Sequence, residues 1–336
     1  MNSSISASEP ALRPWRRVLR RYVVSALILW ASIWILLLAL DPYDSGHFAL
    51  FRAHGVPRFG QRLRDASLAR APEVNAAIIG NSTIQLIDPA RLGPARGLHA
   101  VSLAIPGTGP IEQLAVARWL LRHHPGTQLR ALVFGIDATW CQSDGQLLLP
   151  NPFPFWLYGA NRLDYAVNMM RLQSLDAAGR KVKLLLGLDK PFRADGYDDY
   201  DTDGAWNPAP LAIPIDDSVT NGAGANFAAM PLLARFLDDL SATTTVVLLF
   251  PPRYHTALPV PGSPAAQNYA ACKAGFGAIA AARPRTTVID FAHDGAIAER
   301  DENFRDPIHY RSPVAREVED EIDAAFGETG QAARAP

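Results

Sequence analysis

Apolar and polar positions alternate on two scales along this chain. The longest apolar run, Tyr22–Leu40 (YVVSALILWASIWILLLAL), carries no charge over 19 residues. As a helix it would span about 28 Å at ~1.5 Å per residue, close to the hydrocarbon thickness of a bilayer. Beyond it the runs shorten. Val74–Gly80, Leu98–Ala104, Leu129–Ile136, Thr244–Phe250 and Thr286–Phe291 are apolar stretches bounded by turn formers, which predicts five buried strands. Between them lie helical stripes. Pro110–His123 places Ile111, Leu114, Ala115, Ala117 and Leu121 on one face, and further helices are predicted at about 227–240, 265–282 and 313–326.

Strands alternating with helices predict an α/β fold: a three-layer sandwich with a mainly parallel five-stranded sheet, preceded by one N-terminal transmembrane helix. In such sheets binding groups gather beyond the carboxyl ends of the strands. Ser82 follows the first strand, Gly107 the second and Asp137 the third, so all three are expected at one edge. The stretch from about 138 to 225 breaks the rhythm. It is rich in Pro, Asp, Gly and aromatics, with helical pieces near 161–178, and reads as an insertion capping the site. The predicted layout is a basic tail over 1–21, a membrane helix over 22–40, a polar linker with one helical piece over 41–72, and a domain over 73–330.

Charge orients the membrane segment. Arg13, Arg16, Arg17, Arg20 and Arg21 precede it, and Asp41 and Asp44 follow it. That asymmetry puts the N-terminus in the cytoplasm and everything after Asp41 outside. The residues after Ala39, Leu-Asp-Pro-Tyr, make a poor signal-peptide cleavage site, which favours an uncleaved anchor. Trp15 and Tyr43 are better placed than Trp30 and Trp34 to sit at the membrane interfaces. The whole chain of 336 residues has a formal net charge of -1, which argues against nucleic acid as a partner. Its two cysteines, Cys141 and Cys272, fit no zinc spacing. They read as buried thiols, with a bond between them open in an oxidising compartment.

Two short segments carry the chemistry. Gly80-Asn81-Ser82 closes the first strand, and Asp306-Pro307-Ile308-His309 precedes the last helix. A serine hydroxyl needs a base to remove its proton, and the base needs a third group to fix its tautomer. His309 is the candidate base, and Asp306 can reach the ring from the same turn. Asn-Ser after Gly and Asp-Pro are each common turn chemistry. It is their joint occurrence at opposite ends of one predicted domain that points to a Ser82–His309–Asp306 site. The Gly-x-Ser-x-Gly elbow of α/β-hydrolases is absent.

These blocks resemble the SGNH (GDSL-type) hydrolase family, with its flavodoxin-like sheet, in the membrane-anchored bacterial branch that includes alginate O-acetylation and D-alanyl transfer proteins. Gly80-Asn81-Ser82 is similar to the family's first block and Asp306-Pro307-Ile308-His309 to its last, so the resemblance implies Ser82 as nucleophile. Ala104-Ile105-Pro106-Gly107 is similar to the second block, which implies that the Ser82 and Gly107 amides bind the oxyanion. The family's third block supplies an asparagine donor. Here Gly135-Ile136-Asp137 stands instead, and an ionised aspartate cannot donate. Thr139 or Asn81 replacing that donor, Asp137 pointing elsewhere, and low activity are the readings left open.

Asn81, Asp137, Thr139, Arg253 and His255 are the candidate substrate contacts. No metal and no cofactor are implied. Asp199-Tyr-Asp201-Thr-Asp203-Gly204 imitates a calcium loop but has Pro210 where the twelfth-position acid belongs, so it reads as a solvated acidic rim. The insertion's aromatics, among them Trp140, Phe153, Phe155, Trp156, Tyr158 and Trp206, are expected mostly to form its small core. His123 and His124 end a helix, where positive charge suits the dipole. The expected function is a serine esterase or O-acyl(acetyl)transferase acting on a cell-envelope or exported glycan. The expected partners are the acyl-bearing glycan, the inner membrane through Tyr22–Leu40 and a membrane acyl-donor protein. The alternative is an inactive SGNH-like glycan-binding or scaffolding component.

Overall fold

The structure is a computed structural model of the chain and describes residues 12–48, 59–142, 147–190, 192–202, 206–212 and 226–332. In chain order the elements are α1 (Leu12–Leu40), α2 (Gln61–Leu68), β1 (Ala76–Gly80), β2 (Ala100–Ala104), α3 (Pro110–His123), β3 (Ala131–Gly135), α4 (Phe155–Tyr158), α5 (Arg162–Asn168), α6 (Leu172–Leu185), α7 (Ala229–Asp238), β4 (Thr245–Phe250), α8 (Pro264–Ala282), β5 (Thr286–Asp290), β6 (Phe304–Asp306), β7 (His309–Tyr310) and α9 (Ser312–Ala332). Short 3₁₀ turns fill several connections, one of them at Ser82–Ile84.

β1 to β5 form one parallel sheet in the order β2-β1-β3-β4-β5. The order reverses between β1 and β3, which opens a crevice beyond their carboxyl ends. Side-chain alternation splits the core in two. Ala77 and Ile79 of β1 face the layer that holds Leu114 of α3, Phe236 of α7 and Phe276 of α8. Ala76 and Ile78 face Val314, Val318 and Ile322 of α9. Helices therefore cover both faces, as the continuous apolar strands require. α1 is long and apolar enough to cross a membrane.

Several expectations change. The predicted linker contains α2, which is no spacer: Arg64, Asp65 and Leu68 are buried, and α2 packs on β2 and α3. Residues 49–58 of that stretch lie outside the described residues. Tyr43 is buried against Phe59 and Trp156 rather than free to anchor at an interface. Cys141 and Cys272 form a disulfide rather than two free thiols, with Cα atoms 5.5 Å apart. The bond closes a separation of 131 residues, worth at most about 5 kcal/mol in the chain-entropy account. Desolvation pushes His123 down to about 4 and lowers His124 as well, which works against the positive charge expected at this helix end. Trp140, Trp156 and Tyr158 are core residues as expected, but Phe155 and Trp206 are exposed.

The insertion leaves the carboxyl edge after β3, forms α4 to α6, and returns along the outer side of β2. Ser102 donates its backbone N–H to Asp195 O at 2.7 Å, so this segment covers the sheet's edge strand. A Cβ on Gly196 would stand 2.4 Å from Ser102 O, which is why only glycine fits that approach. The same segment then brings Tyr200 and Asp201 to the β6–β7 hairpin.

Candidate active site

Ser82 sits at the first position of a 3₁₀ turn that β1 feeds directly. Asn81 caps that turn: its Oδ1 accepts from the Thr83 amide (3.1 Å) and the Thr83 hydroxyl (2.9 Å). Ile84 folds down over two strand ends, into space left by Gly80 and Gly135. A Cβ on Gly80 would lie 2.5 Å from Ile84 Cδ1, and one on Gly135 would lie 2.8 Å from Ile84 Cγ2.

From the other end of the domain, β6 and β7 form an antiparallel hairpin that pairs Asp306 with His309. Asp306 Oδ1 accepts from the amides of Ile308 (2.9 Å) and His309 (3.0 Å), which fixes the two-residue turn. Asp306 Oδ2 meets His309 Nδ1 at 2.7 Å, and His309 Nε2 meets Ser82 Oγ at 2.8 Å. Burial pushes the Asp306 carboxyl up, but the His309 ring and the two amides outweigh it, so it stays below its ordinary value. An ionised Asp306 accepts only, so Nδ1 carries the ring proton and Nε2 is left to accept from the serine hydroxyl. The three residues predicted from sequence thus form one continuous hydrogen-bonded chain. Such a chain can withdraw the hydroxyl proton as the oxygen attacks an electrophile.

Neighbouring loops brace the hairpin. Tyr200 lies edge-on to the His309 ring at 5.7 Å and donates its hydroxyl to Tyr310 O at 2.9 Å. The Tyr254 amide donates to Pro307 O at 3.0 Å. Asp201 is not a solvated rim residue. Its carboxylate accepts from Arg311 Nε (3.1 Å) and the Ser312 amide (2.9 Å), which holds the start of α9. Asp203 and Gly204 of that motif lie outside the described residues. Among the described residues no group of three metal-ligating side chains forms.

Gly107 has φ +63°, a left-handed conformation that favours glycine. Arg62 of α2 grips this turn: its Nη2 donates to Pro106 O at 2.7 Å and to Gly107 O at 3.0 Å. The Pro106 carbonyl belongs to the peptide unit that carries the Gly107 N–H, so Arg62 sets the direction of that N–H. Asn151 also donates to Gly107 O, at 3.4 Å. Sequence reading missed both residues. Arg62 lies in the stretch taken for a linker and Asn151 in the insertion, and neither has a local pattern marking it.

Asp137 settles differently. Its Oδ2 accepts from Asn81 Nδ2 at 2.5 Å, and its Oδ1 accepts from the Thr139 hydroxyl (2.6 Å) and amide (3.2 Å). Asn81 Nδ2 also contacts Thr108 O at 3.4 Å. Asn81 and Thr139, the two candidate replacement donors, are therefore both committed to Asp137 itself. Burial raises the Asp137 carboxyl, and the Thr139 and Asn81 hydrogen bonds and the Arg253 charge only partly counter it. The network runs on through Thr108 O to Gln113 Nε2 (3.0 Å), and from Gln113 Oε1 to Trp140 Nε1 (2.9 Å). It ties the carboxyl ends of β1, β2 and β3 together. Arg253 acts electrostatically on Asp137 and Tyr269. His255 is exposed, packs on the Tyr254 ring at 4.3 Å, and lines a cleft of about 750 Å³ with Tyr269, Lys273 and His293.

Among known proteins, no family model matches this chain, and no curated protein sequence matches it.

Proposed function

We propose that this chain is a membrane-anchored serine esterase or O-acyltransferase of SGNH type, working on an acylated glycan of the cell envelope or an exported glycan. The observation that carries the reading is the unbroken contact chain Ser82 Oγ–His309 Nε2–Asp306 at the carboxyl edge of a parallel sheet. Ser82 attacks the acyl carbonyl. His309 takes the serine proton and delivers it to the leaving oxygen, and Asp306 holds the ring and balances its transient charge. The Ser82 and Gly107 amides face the developing oxyanion. Water as second acceptor completes an esterase cycle, and a sugar hydroxyl completes a transferase cycle.

The anchor supports transfer at a membrane. α1 carries Arg16, Arg17, Arg20 and Arg21 at one end and is followed by Asp41 at the other, which supports a cytoplasmic N-terminus. The Cys141–Cys272 bond supports an oxidising compartment for the body. The test is labelling of detergent-extracted full-length protein with a fluorophosphonate probe. Wild type is expected to label and Ser82→Ala to be silent; undiminished labelling of Ser82→Ala refutes Ser82 as nucleophile.

One observation favours a non-catalytic glycan-binding role. Neither candidate replacement for the third-block asparagine is free to donate, because Asn81 and Thr139 both donate to Asp137. Folded wild-type protein that binds an acetylated glycan, yet neither labels nor releases acetate from it, would establish that second reading.

A further inference from the structure

The outward face of the insertion is apolar where a water-facing surface should be polar. In α6 the buried positions are Ser174, Ala177, Lys181 and Leu184. Leu172, Leu175, Val182 and Leu186 recur at helical spacing on a different face, and all four are exposed, Leu172 at 85% and Leu186 at 67%. α5 repeats the arrangement with Leu163 (76% exposed) and Val167. This is the reverse of an ordinary surface helix, which turns its leucines inward.

The stripe is continuous with α1. Trp34 Nε1 donates to Ala166 O of α5 at 2.8 Å, and α1 packs on α6. An apolar crevice of about 240 Å³ lies between Trp30, Ile33 and Trp34 on one side and Met169, Met170 and Leu175 on the other. Depth decides what surrounds it. The arginine group of α1 ends at Arg21, and Trp34 lies thirteen residues later, about 20 Å along the axis at ~1.5 Å per residue. The hydrocarbon layer is about 30 Å thick. Whatever touches Trp30 to Trp34 therefore lies within that layer if α1 spans it.

We infer that α5 and α6 are embedded in the outer leaflet beside α1, with the Leu163–Val167 and Leu172–Leu186 stripe among lipid acyl chains. The body is thus sunk into the bilayer rather than held above it. Lys183, at the margin of the stripe, carries its charge toward the phospholipid headgroups. The inference rests on α1 being membrane-spanning, as proposed above.

The native cysteines are bonded to each other, so an introduced cysteine is the single free thiol. Nitroxide labels at Leu172→Cys and Leu186→Cys are compared with Ile35→Cys on α1 and with Val260→Cys, an exposed apolar position away from the stripe. Each is placed in full-length protein in nanodiscs of phosphatidylethanolamine and phosphatidylglycerol. Accessibility to oxygen relative to a water-soluble nickel chelate gives the depth. The expected result is a ratio at Leu172 and Leu186 several-fold above that at Val260 and approaching that at Ile35. A Val260-like ratio at both stripe positions, with Ile35 in lipid, overturns the inference and makes the stripe a face for another protein. A water-exposed Ile35 instead removes the spanning reading itself.

Discussion

Asp306, on the β6–β7 hairpin, and Asp137, just after β3, are both part-buried carboxylates, and each accepts three hydrogen bonds. They differ in what their donors do next. One donor to Asp306 is an imidazole whose second nitrogen faces a serine hydroxyl, so the chain of contacts leads outward to that hydroxyl. The donors to Asp137 are Asn81, which caps the turn after β1, and Thr139, which lies inside the turn after β3 that Asp137 itself caps. Their contacts lead back into the protein. The carboxyls also shift in opposite directions, Asp306 down and Asp137 up. The same residue type reads as chemistry in one place and as scaffold in the other, and what separates the two is whether the network has an open end.

The largest effect expected from this contrast is in turnover. Asp306→Asn should lose the ring tautomer that leaves Nε2 unprotonated, lowering kcat by about 10⁴-fold. Asp137→Asn should cost less than about tenfold per folded molecule if its network only supports the edge. Acetate release from an acetylated glycan or from p-nitrophenyl acetate measures both, and equal losses would erase the distinction.

Arg62 sharpens the contrast, because it acts on the reactive side through one peptide unit. Arg62→Ala should lower kcat by about 10–100-fold with little change in KM, since a misdirected oxyanion donor weakens only the transition state. Arg62→Lys should recover part of the loss. A loss confined to KM would mean that Arg62 holds substrate instead.

A smaller effect concerns stability. Asparagine offers one acceptor oxygen where Asp137 offers two, so Asp137→Asn should strand a donor among Asn81 and Thr139. The expected cost is about 1–3 kcal/mol, seen as a Tm lowered by several degrees. An unchanged Tm would mean that the cluster carries no structural weight.

The smallest effect is in the pH dependence of Tm. Asp306 ionises more readily folded than unfolded, so its contribution is present above its unfolded value and lost as pH falls through the lower folded one. Asp137 runs the other way: the fold favours its protonated form, so its contribution is present in acid and lost as pH rises through the raised value. Between about pH 6 and 3, Tm should therefore fall less steeply in Asp306→Asn than in wild type, and more steeply in Asp137→Asn. Parallel curves for all three proteins would contradict the opposed shifts.

Much of the edge was legible because its signals are local. Gly80-Asn81-Ser82 ends an apolar strand, and Asp306 and His309 share one tight turn, so each block is legible by itself, and their joint occurrence together with the family resemblance pairs them. Pro110–His123 matched its helix end to end, since a proline start and an unbroken stripe define it. What escaped depends on partners far away in sequence. Arg62 meets the Gly107 turn from a segment whose composition reads as a linker. The Cys141–Cys272 bond needs the turn after β3 to meet α8. Asp201 reads as part of a solvated acidic rim until Arg311 and Ser312 stand beside it. The α6 stripe lies in a stretch that reads only as helical pieces near 161–178, and periodicity does not say whether a face turns inward or outward.

The packing of Ile84 beneath the serine turn reaches further than its size implies. Two missing side chains, at Gly80 and Gly135, act as a gauge for the height of the hydroxyl above the sheet, and a hydrocarbon wedge fills the gap they leave. A single methyl added at Gly80 or Gly135 would press on that wedge and jack Ser82 away from the imidazole, with all three reactive groups still intact. The spacing of the relay is therefore written in residues that have no functional group at all.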